Sequence, residues 1–360
     1  MRIAFVTPGY YPYIGGVETR VGEISRRLVK KGFEVEVLTT DPSRKLPKEE
    51  VINGVRIKRF NSWAPGEAYY FSISLKKYLM KNSNKYNIVH AHSYHAFPAL
   101  YAAKAKSKNK LIFTPHYHGS GHTLFRSILH IFYKFVGGKI FNVADHIICV
   151  SNYERQLILK DFRIDEEKIT VIPNGINPEE FKAIKERRKN YSVSKTILYV
   201  GRIEKYKGVE HLIKVLPMLD ENIYLEIIGR GPYKKSLIKL ADKLGVRERV
   251  KFYQDLPRKE LLKRYAKADL FITLSAHEAF GISVAEALAS GTPCIVANTS
   301  ALKEWVDNEK CFGINYPIDI GKLAMMISKV IGKRISMVKL LNWDEVADKL
   351  MKLYYQINAS

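Results

Sequence analysis

Short apolar runs alternate with amphipathic stretches along most of this chain. RIAFVT (2–7) is apolar until it breaks at Pro8-Gly9, and an amphipathic stretch then runs from Val17 to Lys31, where Gly32 ends it. The pattern predicts a buried strand, a loop and a surface helix. FEVEVLTT (33–40) alternates as a strand, and further strands are read at VRIKRF (55–60), NIVHAH (87–92), KLIFTPH (110–116), DHIICVS (145–151) and ITVIPN (169–174). Helix-like stretches fall between most of them, at 71–82, 95–106, 122–142 and 151–161. Strands separated by helices of that length predict a parallel sheet covered on both faces.

The rhythm stops at NPEEFKAIKERRKNYSVSK (177–195), a charged stretch poor in large apolar residues that reads as a linker. It restarts with strands at TILYVG (196–201), IYLEIIG (223–229), VKFY (250–253), DLFITLS (269–275), PCIVAN (293–298) and FGINY (312–316). Helices are read at 207–219, 232–244, 258–267, 280–290, near 319–332 and at 343–357. The expected architecture is α/β, with one doubly wound Rossmann-like domain over 1–176, the linker over 177–195 and a second such domain over 196–342. The C-terminal segment 343–360 is expected to pack back on the first domain. Ligands in such folds bind outside the carboxyl ends of the strands, so two of them facing a cleft direct attention to the loops that follow strands.

Charge sharpens this picture. Lys and Arg number 59 against 36 Asp and Glu, a net +23 over 360 residues. Residues 51–150 carry 14 of those cations and two acids, Glu67 and Asp145, so +12 falls in less than a third of the chain. The unevenness points to a face turned toward something anionic; a solubility or thermal-adaptation surface is the competing explanation, since three glutamines stand among many Lys and Ile. The cysteines, Cys149, Cys294 and Cys311, form no CxxC pair, which argues against a disulfide framework or a cysteine-cluster zinc site and for a reducing, cytoplasmic compartment. Neither a signal peptide nor a membrane span is read.

Three constellations carry chemistry. In the loop PGYYPYIGGVE (8–18), Gly15-Gly16 immediately precede a helix, where free N–H groups and the positive helix end favour phosphate. In GRIEKYKG (201–208), Arg202 and Lys207 sit at the lip of the second domain's first strand, five positions apart, and can converge on one diphosphate. In HEAFGISVAEALASGTP (277–293), Glu278 closes a strand loop, Gly281 stands at a helix start, and Glu286 lies about two turns along an otherwise apolar helix. A carboxylate there needs a partner or hydroxyl groups. Two acids flanking an anion site suit a ligand with vicinal hydroxyls at both ends, as a ribose and a hexose have.

Taken in order, GGVE (15–18), VIPNGI (171–176), GRIEKYKG (201–208), IIGRGP (227–232) and Glu278…Glu286 make the chain resemble the GT-B glycosyltransferases, specifically glycosyltransferase family 4, the retaining nucleotide-sugar enzymes. The resemblance implies a nucleoside-diphosphate sugar donor. Gly16 would back the donor phosphate, Arg202 and Lys207 hold the diphosphate, and Glu278 meet the sugar near the reacting centre. Glu286 would bind the ribose hydroxyls, and the backbone of Phe280, Gly281 and Ile282 meet sugar and phosphate. Gly229 and Arg230 lie where the family binds the base, and His116 matches a histidine near the sugar. The catalytic set so implied is Glu278, His116, Arg202 and Lys207. Gln254 departs from a glycine common in relatives, which leaves base recognition open. No DxD occurs, in line with a metal-independent enzyme using fixed cations instead.

The histidines at 90, 92, 95, 116, 118 and 122 are read as acceptor-binding or packing groups rather than metal ligands, because His90/His92 and His116/His118 share strand faces. The first domain would bind the acceptor. Segments 69–81 and 122–141 join aromatic and aliphatic residues to cations, a composition that suits either an anionic membrane surface or a core helix whose few charges point outward; with +12 across 51–150 the membrane reading is preferred. The expected acceptor is a glycan or a lipid-linked molecule, with the protein peripheral on the cytoplasmic face. Two alternatives stand beside this: a GT-B nucleotide-sugar epimerase or hydrolase, and a basic nucleic-acid-binding protein. No RNP-like or helix-turn-helix pattern accompanies the charge, so no nucleic-acid partner is expected.

Overall fold

The computed structural model describes residues 1–13, 15–65, 69–119, 134, 137–184 and 194–359. Contacts divide the chain into two compact units, Met1–Gly175 together with Leu341–Ser360, and Ile176–Leu340. The helix expected over 122–142 falls mostly outside the described residues.

The first unit is built on strands β1 (Arg2–Val6), β2 (Glu34–Asp41), β3 (Glu49–Ile52), β4 (Val55–Asn61), β5 (Ile88–His92), β6 (Lys110–Thr114), β7 (His146–Cys149) and β8 (Ile169–Val171). They lie in the order β3-β4-β2-β1-β5-β6-β7-β8. Helices α1 (Gly16–Lys30), α2 (Ile73–Asn82), α3 (Phe97–Lys104) and α4 (Asn152–Asp161) link them. Every neighbour pairs in parallel except β3 with β4. β3 is an addition to the expected sheet, joined to β4 by a turn at Asn53-Gly54 with both residues left-handed (φ 51° and 80°). Asn-Gly is the pair that such a two-residue turn requires.

The second unit holds α5 (Pro178–Lys182) and six parallel strands, β9 (Lys195–Val200), β10 (Ile223–Ile228), β11 (Val250–Tyr253), β12 (Leu270–Thr273), β13 (Cys294–Ala297) and β14 (Cys311–Ile314). Their order is β11-β10-β9-β12-β13-β14, which reverses direction between β9 and β12. Helices α6 (Val209–Val215), α7 (Lys234–Lys243), α8 (Arg258–Lys267), α9 (Ile282–Ala289) and α10 (Ile320–Val330) cover it. α5 lies in the stretch read as linker. Pro178 opens it, and Phe181 is buried against Leu262, Ala285 and Ala289, so this turn of chain belongs to the second unit's core.

The last helix, α11 (Trp343–Ala359), returns to the first unit. Its start is a reciprocal cap: the Glu345 N–H donates to Asn342 Oδ1 and the Asn342 N–H to Glu345 Oε2, each at 2.8 Å. Trp343, Val346, Leu350, Leu353, Tyr354 and Ile357 are buried in a cluster with Ile3, Phe5, Ile24 and Leu28. Each such side chain contributes about 1.5–3 kcal/mol. Arg27 bonds Asp344 at 3.0 Å and Lys31 bonds Asp348 at 2.7 Å along the seam with α1. Gly175 lets the two segments touch, since a Cβ there would lie 2.7 Å from the Trp343 nitrogen.

Candidate functional site

The carboxyl ends of β9, β10 and β12 gather the second unit's predicted residues. The loops after β9 and β10 cross in direct backbone contact. The Gly201 N–H donates to the Ile228 carbonyl (3.0 Å) and the Ile203 N–H to the Arg230 carbonyl (2.7 Å). A Cβ on Gly229 would lie 1.9 Å from the Gly201 oxygen, and one on Gly231 2.1 Å from the Ile203 oxygen. Only glycine permits that crossing. Beneath it, the buried Tyr199 hydroxyl donates to the Arg202 carbonyl at 2.8 Å, a support that the sequence reading did not single out.

Lys207 and Glu278 meet in this loop cluster. The Lys207 ammonium donates to Glu278 Oε1 at 2.5 Å, and both side chains are largely buried. Burial works against the charge on Lys207, but Glu278 and Tyr206 outweigh it, so the lysine pKa is raised and the ammonium persists. Tyr206 organises the group: its ring lies 5.0 Å from the Lys207 nitrogen, and its hydroxyl accepts from Arg202 Nη2 at 2.8 Å. Its carbonyl also accepts from the Ala276 N–H at 2.9 Å, fastening the Lys207 loop to the Glu278 loop. Gly208, left-handed at φ 68°, lets the same turn run against the Leu274 carbonyl. Arg202 remains half-exposed and touches Glu204 at 3.1 Å. Arg230 is mostly exposed and paired with Asp255.

The Glu278 N–H donates to the Ser300 hydroxyl at 3.2 Å, and its carbonyl accepts from the Ala301 N–H. Gly281 then caps α9 in the left-handed region (φ 93°, ψ 58°), and no side chain caps that helix start. The Val284 N–H turns back to the Gly281 carbonyl at 3.0 Å, and the Ile282 amide at the helix start is placed to meet a ligand's oxygens. Phe280 is fixed by its carbonyl, which accepts from Trp305 Nε1 at 2.6 Å. Glu286 has a partner within the protein: its Oε1 accepts from Arg258 Nη1 at 2.5 Å, and Arg258 also bonds Glu180 of α5 at 2.9 Å. The partner that a buried acid needs is thus an arginine of the protein itself.

In the first unit the Gly15-Gly16 loop is overlaid by an acid. A Cβ on Gly15 would lie 2.5 Å from a Glu18 carboxylate oxygen, and one on Gly9 2.8 Å. A phosphate at this loop would have that carboxylate as a neighbour, a feature that glycine spacing alone conceals. His116 follows β6 with left-handed backbone (φ 50°) and faces His92 at 3.4 Å. His90 stacks on His92 (centroids 4.4 Å apart) and bonds Tyr354 of α11 at 2.6 Å and Thr114 at 2.8 Å. Burial and the nearby Arg20 push the His116 pKa down to about 3. Arg20 is itself fully buried, bonding Asn174 Oδ1 at 2.7 Å and the Ile172 carbonyl at 3.1 Å. Glu154, also buried, accepts from the Tyr117 and Val150 N–H groups at 2.6 and 2.7 Å, and burial lifts its pKa to about 7. Sequence reasoning missed Arg20 and Glu154; the Ser151-x-x-Glu154 capping pattern is the one signal that marked either.

Among the described residues no group of three His, Cys, Asp or Glu side chains is placed to hold a metal ion, and no helix is long and apolar enough to cross a membrane.

Comparison with known proteins places the chain in a family. Glycosyltransferase Family 4 matches residues 14–180, and Glycosyl transferases group 1 matches residues 180–341. An uncharacterised glycosyltransferase of Methanocaldococcus jannaschii is 29% identical over 98% of each chain. Glycogen synthase of Mycobacterium tuberculosis is 31% identical over 92% of this chain and 86% of its own. Among solved structures, sucrose-phosphate synthase from Thermosynechococcus elongatus superposes with a TM-score of 0.80 at 20% identity, covering 99% of both chains. The Anabaena protein Alr3699/HepE in complex with UDP-glucose gives 0.74 at 17% identity, over 100% of this chain and 97% of that one. With two parallel-sheet α/β units in the GT-B manner and both family matches in register with them, this chain belongs to the group 1 glycosyltransferases of glycosyltransferase family 4.

Proposed function

We propose that this glycosyltransferase moves a sugar, with retention at the anomeric carbon, from a nucleoside-diphosphate sugar to an acceptor hydroxyl without a divalent metal. The observation that carries the reading is the Lys207–Glu278 pair beside Arg202 and the uncapped start of α9. As the bond between sugar and diphosphate breaks, negative charge grows on the departing phosphate. A fixed ammonium, a guanidinium and free amides are the groups that stabilise such charge, a contribution of about 10²–10³ in rate for a single donor. Glu278 orients the sugar, Glu286 accepts from the ribose hydroxyls through the oxygen that Arg258 does not occupy, and Gly229 and Arg230 border the base. Because Lys207 neutralises Glu278, the carboxylate is a weak nucleophile. That supports attack by the acceptor on the face that the phosphate leaves, with the hydroxyl proton passing to the departing phosphate oxygen. On this reading His116, kept neutral by burial, hydrogen-bonds the sugar.

The acceptor is a glycan or lipid-linked molecule at the cytoplasmic face of an anionic membrane. Support comes from the first unit's charge and from relatives whose names carry lipids. Alpha-monoglucosyldiacylglycerol synthase of Streptococcus pneumoniae is 27% identical over 88% of this chain and 75% of its own.

The test is a thermal-shift panel of UDP-, GDP- and ADP-sugars followed by transfer assays. One nucleotide series should raise the melting temperature, and Arg202→Ala, Lys207→Ala and Glu278→Ala should each lower transfer at least about 100-fold while the protein stays folded. Wild-type turnover in all three would end the reading, and rapid consumption of donor without acceptor would favour an epimerase or hydrolase.

A further inference from the structure

The solvent face of α2 is a single stripe of alternating apolar and cationic side chains. Ile73, Lys76, Lys77, Met80 and Lys81 line one shallow depression and follow the i, i+3, i+4, i+7, i+8 spacing of one helix face. Leu75 and Leu79 on the opposite face are fully buried, so the core has already taken its share of this helix. Ile73 is nonetheless 73% exposed and Met80 57%. The stripe continues over an adjoining depression that includes Arg44, Trp63 and Phe71. Trp63 is 63% exposed, and its strand-like pairing with Phe71 (2.9 Å in both directions) holds its ring at the surface. Among the described residues no acid lines either depression.

We infer that this surface docks the protein on a bilayer rich in anionic headgroups, with Ile73, Met80 and Trp63 entering the headgroup–acyl boundary and Arg44, Lys76, Lys77 and Lys81 meeting phosphates. The apolar members decide the partner. A nucleic acid would satisfy the four cations, but it offers exposed isoleucine and methionine side chains nothing to enter, whereas an interfacial helix needs both components on one face. Trp63 has the amphipathic ring that settles at the membrane–water boundary. The inference rests on the membrane-surface part of the proposed function and is independent of the donor chemistry.

The test is flotation of the full chain with phosphatidylcholine vesicles and with the same vesicles carrying phosphatidylglycerol, at low and high salt. Wild type should partition onto the anionic vesicles only, release as salt screens the lysines, and show a blue-shifted tryptophan emission that Trp63→Phe removes. The charge-reversed K76E/K77E/K81E variant should lose about 100-fold in partitioning at an unchanged melting temperature. The polar variant I73S/M80S should lose the fraction that resists salt. Equal binding to neutral and anionic vesicles, or wild-type partitioning by both variants, overturns the inference. So does salt-steep binding of a single-stranded oligonucleotide by a wild type that ignores vesicles. None of these outcomes touches the transfer assay, so the donor reading stands or falls separately.

Discussion

Three imidazoles, His90, His92 and His116, are held where they cannot easily take a proton. Burial is the main cause and the charge on Arg20 adds to it, so His90 and His92 sit well below the usual histidine range and His116 near 3. The unfolded chain binds those protons near pH 6.5, whereas the folded chain does not, so stability is intact above 6.5 and is lost as pH falls toward 3. Glu154 runs the other way. With its pKa raised to about 7, its contribution is complete below the ordinary carboxylate range and declines as pH rises to 7. One acid against three imidazoles leaves a net loss on acidification. Denaturant melts between pH 7 and pH 5 should therefore show falling stability. His92→Leu should flatten that fall by about 1.4 kcal/mol per pH unit; it gives up the long Nδ1 contact with His116 (3.4 Å), which lowers stability at every pH without restoring the slope. A His92→Leu profile parallel to wild type would show that the histidine cluster is not the titrating unit.

Loop crossings and helix pairings carry the next set of consequences. Gly229→Ala places a methyl group 1.9 Å from a backbone oxygen that cannot swing away. A loss of about 3 kcal/mol or more is expected, read as a fall in melting temperature together with lost nucleotide binding. The α5–α8–α9 bridge is milder. Arg258→Ala strands Glu286, but Arg258 is 43% exposed, so about 1–2 kcal/mol is the expected loss. On the proposed role of Glu286 the donor KM should rise several-fold while kcat changes little. An unchanged KM would make the bridge purely structural. These elements also show what the sequence could disclose. Alternating and apolar runs marked thirteen of the strands, because a strand buried on both faces leaves a compositional trace whatever packs on it. The β3 strand escaped because EEVI is short, charged and at a sheet edge, with only Asn53-Gly54 to announce its turn. α5 escaped because a single phenylalanine, Phe181, shows no periodicity. In the candidate site the residue types and spacings around Lys207 and Glu278 were legible. The claims of Arg258 on Glu286 and of Glu18 on Gly15 were not, because each depends on where a long side chain comes to rest.

At the scale of the molecule, the first unit is discontinuous: Met1–Gly175 is completed only by Leu341–Ser360. Six large side chains of α11 lie in the same cluster as Ile3 and Phe5. Removing residues 341–360 forfeits about 1.5–3 kcal/mol for each, together a sum on the scale of the whole stability of a typical domain, about 5–15 kcal/mol. Such a truncation should yield insoluble protein rather than a soluble, slower enzyme, as sedimentation after expression would show. A soluble truncated chain with the wild-type melting profile would mean that α11 is dispensable. The same arrangement has a consequence for biosynthesis. A ribosome emits the chain from one end, so the second unit is complete and free to fold while the first still lacks its closing helix. The nascent first unit must wait, the apolar flank that receives α11 uncovered, until translation delivers residues 341–360.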